Sequence, residues 1–369
     1  MGNNPLQPTK NKRITSLDAL RAFTLLGILI VHANNGFGLS YSKVCLSFVD
    51  LCCATINGLF LSNKCNTIFA VLFGVSFYLI LRNPKNGNGK FVWRCFLLAL
   101  IGLFNKLFYS YDALMWYGLW GMVLVLFKNL KPKSLIACSV FIQLMDLYLA
   151  KLSIGDFLFG TAVVDRYGID KSFYDVLLYS NAVVDYLRVV LNSGGLGTLA
   201  KFLFGYWLAK IGFIESLQER LTKHIFLISW FVFITFLVLD IYLQKNGIYS
   251  LRIFANYSGS AAYASALIYA YYHCGFCNRV LKLFEPYGKL GLTNYSIGGI
   301  LGVIVINEFG LGLYKYPLSF IILVFIVFFL LQAIFSYYWL RYFTYGPMEY
   351  VWRVATERKK IPLRREALI

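Results

Sequence analysis

The stretch from Arg13 to Gly38 constrains this chain more than any other. Leu17 to Ala33 is apolar enough to enter a bilayer, yet it carries Asp18, Arg21 and His32. Ionisable side chains at membrane depth are costly, and they mark functional sites by default. Arg21 and His32 are eleven residues apart, almost three whole helical turns, so both project from one face, roughly 16 Å apart along the axis. Asp18 joins Arg21 at i, i+3. An Arg at one membrane surface and a His deep on the same stripe would let a lipid-buried protein hold an anionic cofactor at the surface while a base waits further in.

The composition agrees with a membrane setting. With 59% hydrophobic and only 14% charged residues, the chain is too apolar for a soluble protein of 369 residues. The formal charge of +18 would suggest nucleic acid in a soluble protein. In a membrane protein it reports cytoplasmic loops facing anionic lipid, so no nucleic-acid partner is expected. The first apolar run contains charge and lacks a small-residue cleavage site, so no removable signal peptide is expected. The eight cysteines sit mostly inside apolar runs, where Cys acts as a small hydrophobe, and no disulfide framework follows. Cys274-Gly275-Phe276-Cys277 has CxxC spacing, but with no second pair and only His273 nearby it reads as neither a metal nor a redox site. No metal is expected.

Ten apolar runs are long enough to span: Leu17 to Ala33, Cys65 to Leu81, Phe91 to Tyr109, Ala113 to Phe127, Ser134 to Ala150, Leu196 to Phe213, Ile225 to Leu243, Leu251 to Tyr272, Leu290 to Val305 and Pro317 to Leu340. Val44 to Leu61 is an eleventh candidate, interrupted by Asp50 and Asn57. If it does not cross and the N-terminus is cytoplasmic, inside loops hold 23 Lys and Arg and outside segments hold ten, as the positive-inside rule requires. If it crosses, the ratio inverts. The expected fold is therefore an all-α integral membrane protein of about ten transmembrane helices, with a re-entrant or interfacial segment after the first helix. It forms one polytopic domain over 1–369: a cytoplasmic tail at 1–15, a helical bundle over 17–340, and a basic cytoplasmic tail at 341–369. The polar stretch between Ala150 and Leu196 falls outside, where it either caps a cavity or is an ordinary solvated loop.

Leu17-Asp18-x-x-Arg21, followed by an apolar run and His32, resembles the signature of the acyltransferase-3 membrane enzymes. The whole first helix, with its Leu25-Leu26-Gly27-Ile28-Leu29 run, is closer still to the YeiB-like family of bacterial membrane proteins. Further matches to that family are Ala70-Val71-Leu72-Phe73-Gly74, Asp112-Ala113-Leu114 with Tyr117-Gly118, Leu292-Thr293-Asn294-Tyr295, and Phe335 to Arg341 leading to Gly346-Pro347-Met348-Glu349-Tyr350-Val351-Trp352-Arg353. YeiB-like proteins often have Asn where this chain has His32. The resemblance implies a bacterial cytoplasmic membrane protein, multi-pass with both termini inside. It also implies transfer of an acyl group, most simply acetyl, from cytoplasmic acyl-coenzyme A to a hydroxyl or amine of a sugar or lipid at or beyond the outer face.

Acyl transfer needs a base to take the proton from the attacking group, and a neutral His has suitable basicity. His32 is the candidate at membrane depth, with hydrogen bonding to a neighbouring helix as its bland alternative. Arg21 is the candidate for the donor's phosphates, because guanidinium binds phosphate in a bidentate manner. Lys201, within an apolar helix after Gly194, Gly195 and Gly197, either lines the same cavity or snorkels outward. Asn34, Asn35, Asp50 and Lys64 cluster near the outer end of the first helix as candidates to orient the base or stabilise an oxyanion. Asn294 begins a later helix whose glycines permit close packing. Expected partners are the bilayer, acyl-coenzyme A and a sugar or lipid acceptor, and self-association into a homo-oligomer is allowed. The competing class is a transporter or export factor for a small molecule or lipid-linked sugar, where buried charges and glycine-rich helices are equally expected.

Overall fold

A computed structural model describes residues 14–35, 47–83, 87–108, 112–151, 195–246, 251–307 and 310–365. The described residues form helices joined by short turns, with one isolated β-bridge between Phe343 and Arg364. In chain order the helices are α1 (Thr15–Asn34), α2 (Phe48–Ile56), α3 (Lys64–Leu81), α4 (Asn88–Lys106), α5 (Leu114–Leu124), α6 (Pro132–Lys151), α7 (Gly195–Lys210), α8 (Leu217–Arg220), α9 (Lys223–Lys245), α10 (Arg252–His273), α11 (Gly275–Lys289), α12 (Gly291–Ile306), α13 (Leu318–Tyr342) and α14 (Pro347–Glu357). The polar stretch between Ala150 and Leu196 lies outside the described residues, apart from its ends.

Among the described residues, four segments are long and apolar enough to cross a membrane: Thr15–Asn34, Phe48–Leu81, Lys223–Lys245 and Leu318–Tyr342. A fifth follows if α11 and α12, which meet at a 77° bend, make one span. This is consistent with a multi-pass membrane protein. Of Val44 to Leu61, residues 44–46 lie outside the described residues; the rest is built from α2 and one π turn over Asn57–Leu61, and a left-handed Asn63 then caps α3. Ser47 caps α2 by a reciprocal bond with Asp50, and the other Asp50 oxygen accepts the Ser319 N–H at 2.8 Å, tying this segment to the start of α13.

α1 is the axis of the bundle, packed against α3, α10, α11, α12 and α13. Small residues on neighbouring helices make that possible. A Cβ at Gly288 of α11 would collide with the Asp18 carbonyl, so the two backbones touch. α3 and α7 are clamped in the same way from both sides: a Cβ at Gly74 would strike the Phe202 carbonyl, and one at Gly205 the Val71 carbonyl.

The structure departs from the sequence reading at the CxxC. Cys274 and Cys277 form a disulfide, with their Cα atoms 5.2 Å apart. The cause is local. Cys274 is the N-cap of α11 and its sulfur accepts the Cys277 N–H at 3.2 Å, so the first helical turn folds one side chain onto the other. The remaining described cysteines Cys52, Cys53, Cys65, Cys95 and Cys138 are free thiols.

Candidate functional site

Helical spacing puts Leu25, Ile28, Leu29 and His32 on one stripe of α1, at i, i+3, i+4 and i+7. That stripe forms one wall of a pocket whose other walls are Tyr287 at the end of α11 and Asn294, Tyr295, Gly298 and Gly299 of α12. The structure thus brings together two residues singled out in the sequence, His32 and Asn294. The glycines matter because α12 must lie close to α1, and a Cβ at Gly298 would already touch Leu29.

Asn294 is buried and fixed by its neighbours. Its Nδ2 donates to the Tyr287 carbonyl and to Ser336 Oγ, each at 3.0 Å. Gln332 Nε2 donates to the Asn294 carbonyl and the Tyr287 hydroxyl donates to Gln332 Oε1, both at 3.2 Å. A polar network fully satisfied in this way holds its members in one geometry. α12 is also tied to α4 and the start of α5: Tyr295 Oη accepts the Ala113 N–H at 3.0 Å, and Ser296 Oγ accepts from Asn105 at 3.2 Å. Asn105 also donates to Asp112, whose other oxygen caps the first turn of α5.

The bend before α12 leaves its first N–H groups without a preceding turn. Glu349 of α14 supplies the cap. Its Oε1 accepts Leu292 N at 2.7 Å and Thr293 N at 3.0 Å, and its Oε2 accepts the Thr293 hydroxyl. Burial pushes the Glu349 carboxyl above its ordinary range, against the pull of these donors.

The other candidates lie elsewhere. Arg21 donates from Nη1 to Asp18 Oδ1 at 2.8 Å and from Nη2 to Ser76 Oγ of α3 at 2.9 Å, so it joins α1 to α3 below the pocket. Lys201 of α7 lies over the Tyr257 ring at 5.8 Å, within electrostatic range of Asp146 of α6, and does not line the pocket. Lys64 is buried against α9 and α10, donating to Asn256 Oδ1 at 2.9 Å with Asp240 and Arg252 nearby. Asp50 ties α2 to α13, as described above. Asn35 is exposed and accepts from Asn34 Nδ2 at 3.1 Å, while the Asn34 Oδ1 is buried with no hydrogen-bond partner among the described residues. Among the described residues no group of three or more His, Cys, Asp and Glu is placed to hold a metal ion.

Sequence reasoning missed Tyr287 as a pocket wall and Glu349 as the cap of α12. Both had a signal. Tyr287 precedes a glycine at a helix end, and Glu349 lies within the Gly346 to Arg353 motif.

Helical throughout its described residues, with several apolar segments around a charge-bearing first helix and a bent helix pair, the chain is consistent with a polytopic membrane protein. Residues 208–359 match the family model described as Protein of unknown function (DUF418). The chain is similar to Uncharacterized protein YxaH of Bacillus subtilis (strain 168), 27% identical over 412 residues and covering 99% of each chain. It is also similar to the Uncharacterized 39.9 kDa protein in amylase 3'region of Bacillus acidopullulyticus, 27% identical over 372 residues, with 97% of this chain and 98% of the other covered. Uncharacterized protein YeiB of Escherichia coli (strain K12) is 26% identical over 384 residues, with 95% and 98% covered. No solved structure matches. These likenesses support the YeiB-like resemblance over nearly the full length; the link to acyltransferase-3 rests on the first-helix motif alone.

Proposed function

We propose that this protein is an integral membrane acyltransferase that moves an acyl group, most simply acetyl, from cytoplasmic acyl-coenzyme A to a hydroxyl or amine acceptor at or beyond the outer face. The observation that carries the reading is the grouping of His32 with Asn294, Tyr287 and Tyr295 around one pocket inside the bundle. In the reaction, the His32 imidazole takes the acceptor's proton as its oxygen or nitrogen attacks the thioester carbonyl. The carbon–sulfur bond then breaks and the coenzyme leaves as its thiolate, to be protonated. The topology that fits is the ten-span arrangement with both termini cytoplasmic and Val44 to Leu61 on the outer side, which rests on the 23 to 10 division of Lys and Arg. The setting is the bacterial cytoplasmic membrane.

A base contributes typically 10²- to 10⁴-fold to such a step. His32→Ala in purified protein is expected to lower thioester cleavage by about that factor, with folding and donor binding retained. His32→Asn is the sharper variant: a folded, nearly inactive protein supports the imidazole as base, and full activity removes it from that role. A second reading, a transporter, is favoured by the 77° break between α11 and α12 beside the pocket, because discontinuous helices form transporter sites. Wild-type protein that cleaves no acyl-coenzyme A in the presence of sugar and lipid acceptors would favour it.

A further inference from the structure

α14 lies along the first half of α4, held by two indole contacts. Trp93 Nε1 donates to the Ala355 carbonyl at 3.0 Å, and Trp352 Nε1 donates to the Arg94 carbonyl at 2.9 Å. The seam between them is crowded with positive charge. Lys90, Arg94, Arg353 and Lys359 all act on Glu357, the one carboxylate at this seam among the described residues, and Arg358 lies beside them over Trp93. Lys90 Nζ claims that carboxylate at 2.7 Å, and Arg353 and Lys359 act on the same group electrostatically, holding its carboxyl below the ordinary range. Arg353 is also close enough to Arg94 for the two guanidinium groups to repel each other.

Aromatic rings flank each guanidinium: Arg94 over Trp352 at 4.5 Å, Arg353 over Tyr345 at 4.6 Å, and Arg358 over Trp93 at 5.0 Å. Stacking fixes the planes of these groups but supplies no negative charge. Arg94 has a further deficit, since its Nε is buried with no hydrogen-bond partner among the described residues. A buried donor left unmade is costly, and so are like charges held together. One ligand chemistry relieves both. An anion with several acceptor oxygens screens the repulsion and, with a small shift of the side chains over Arg94, supplies the acceptor its N–H lacks, and planar guanidinium forks match phosphate better than any other common anion except carboxylate. The seam is open to such a ligand, because Arg353, Arg358 and Lys359 are exposed while Lys90 and Arg94 are half-buried.

We propose that the α4–α14 seam is a binding site for a phosphate-bearing anion, gripped by Arg94 and Arg353 with Arg358 and Lys359 at its mouth. Two sources share this chemistry: the headgroup phosphate of an anionic lipid, and a soluble phosphorylated molecule, of which coenzyme A would be one under the acyl-transfer reading. Only that last clause rests on acyl transfer; the site itself does not.

The test uses the full chain in nonionic detergent and follows its thermal unfolding midpoint while inorganic pyrophosphate or coenzyme A is titrated in. A parallel arm compares nanodiscs of phosphatidylglycerol with nanodiscs of phosphatidylcholine. Saturable stabilisation is expected in at least one arm. A response to pyrophosphate or coenzyme A assigns a soluble ligand, and a response to phosphatidylglycerol alone assigns a lipid. Arg94→Gln and Arg353→Gln are each expected to weaken the response roughly 10-fold or more, the loss of one charge-assisted contact, while Lys245→Gln at the far end of α9 leaves it unchanged. In low-salt, anion-free buffer Arg353→Gln should melt no lower than wild type, because it removes a repelling neighbour; a purely structural Arg353 predicts the reverse. If Arg94→Gln does not fold, the exposed Arg353 carries the test. No stabilisation in any arm, or a full response in a folded Arg353→Gln, would overturn the proposal. Neither pyrophosphate nor phosphatidylglycerol depends on thioester chemistry, so this failure and that of the acyl-transfer reading can be told apart.

Discussion

α1 and α9 are both long apolar helices able to cross a membrane, yet they occupy opposite places in the bundle. In α1, 67% of the apolar window is buried inside the protein; in α9 the share is 11%. α1 is the helix with Asp18, Arg21, Gly27 and His32, whereas α9 presents Phe231, 73% exposed, and Ile228, 61% exposed, away from the fold. In water that ordering would be inverted. Lipid tails are as apolar as leucine, so burial of large apolar side chains gives no preference for the inside. The interior position goes instead to the helix whose small and polar residues can pack closely and find partners. The two buried residues of α9, Phe233 and Asp240, mark where it leans on α10 and Lys64.

That contrast can be broken most forcefully at Gly27. A Cβ there would overlap the Cys65 side chain, so Gly27→Leu forces α1 away from α3 and is expected to cost about 3 kcal/mol or more. Loss of the monodisperse peak on size-exclusion chromatography would show it, and an unchanged profile would mean that the α1 to α3 contact is looser than described. A smaller effect is expected at Asp18, which is 1% exposed and pairs with Arg21 at 2.8 Å. Breaking a buried pair costs about 3–5 kcal/mol. Arg21 keeps 25% of its side chain accessible and retains Ser76, so Asp18→Ala should cost nearer to about 2 kcal/mol in detergent-denaturation curves. Asp18→Ala and Arg21→Ala combined in a double-mutant cycle would show coupling only if the pair is real. The smallest effect belongs to α9, where Phe231→Ala removes a ring that faces outward. A change within about 0.5 kcal/mol is expected, and a loss comparable to Asp18→Ala would mean that this face is covered by another chain.

The central place of α1 was legible because its polar residues recur at helical spacing inside an otherwise apolar run, a pattern that costs too much to be accidental. The pocket was legible in part. His32 and Asn294 stand out one at a time, but their meeting depends on the bend at Leu290, and Leu290 to Val305 reads in sequence as one more uninterrupted apolar run. Pro286, Gly288 and Gly291 are local breakers around the bend, but what completes it lies far along the chain, where Glu349 satisfies the N–H groups that the break exposes. The Cys274 to Cys277 pairing was missed for another reason. CxxC spacing is common in apolar sequence, and only its place on the first turn of α11 brings the sulfurs together. Lys201 reads as a lone cation in an apolar helix and Lys64 as one of a polar group at the outer end of the first helix, whereas the fold sets each near a carboxylate of another helix, Asp146 and Asp240.

The capping of α12 by Glu349 bears on how the protein is made. Thr293 and Glu349 are 56 residues apart, and a ribosome adding about 5–20 residues per second separates them by roughly 3–11 s. Through that interval the start of α12 is already synthesised, but its N–H groups have no carboxylate to receive them. The bent pair therefore reaches its final form only after α13 has been laid down and α14 has swung back beneath it. Glu349, synthesised 56 residues after Thr293, is thus the last group to reach the start of α12.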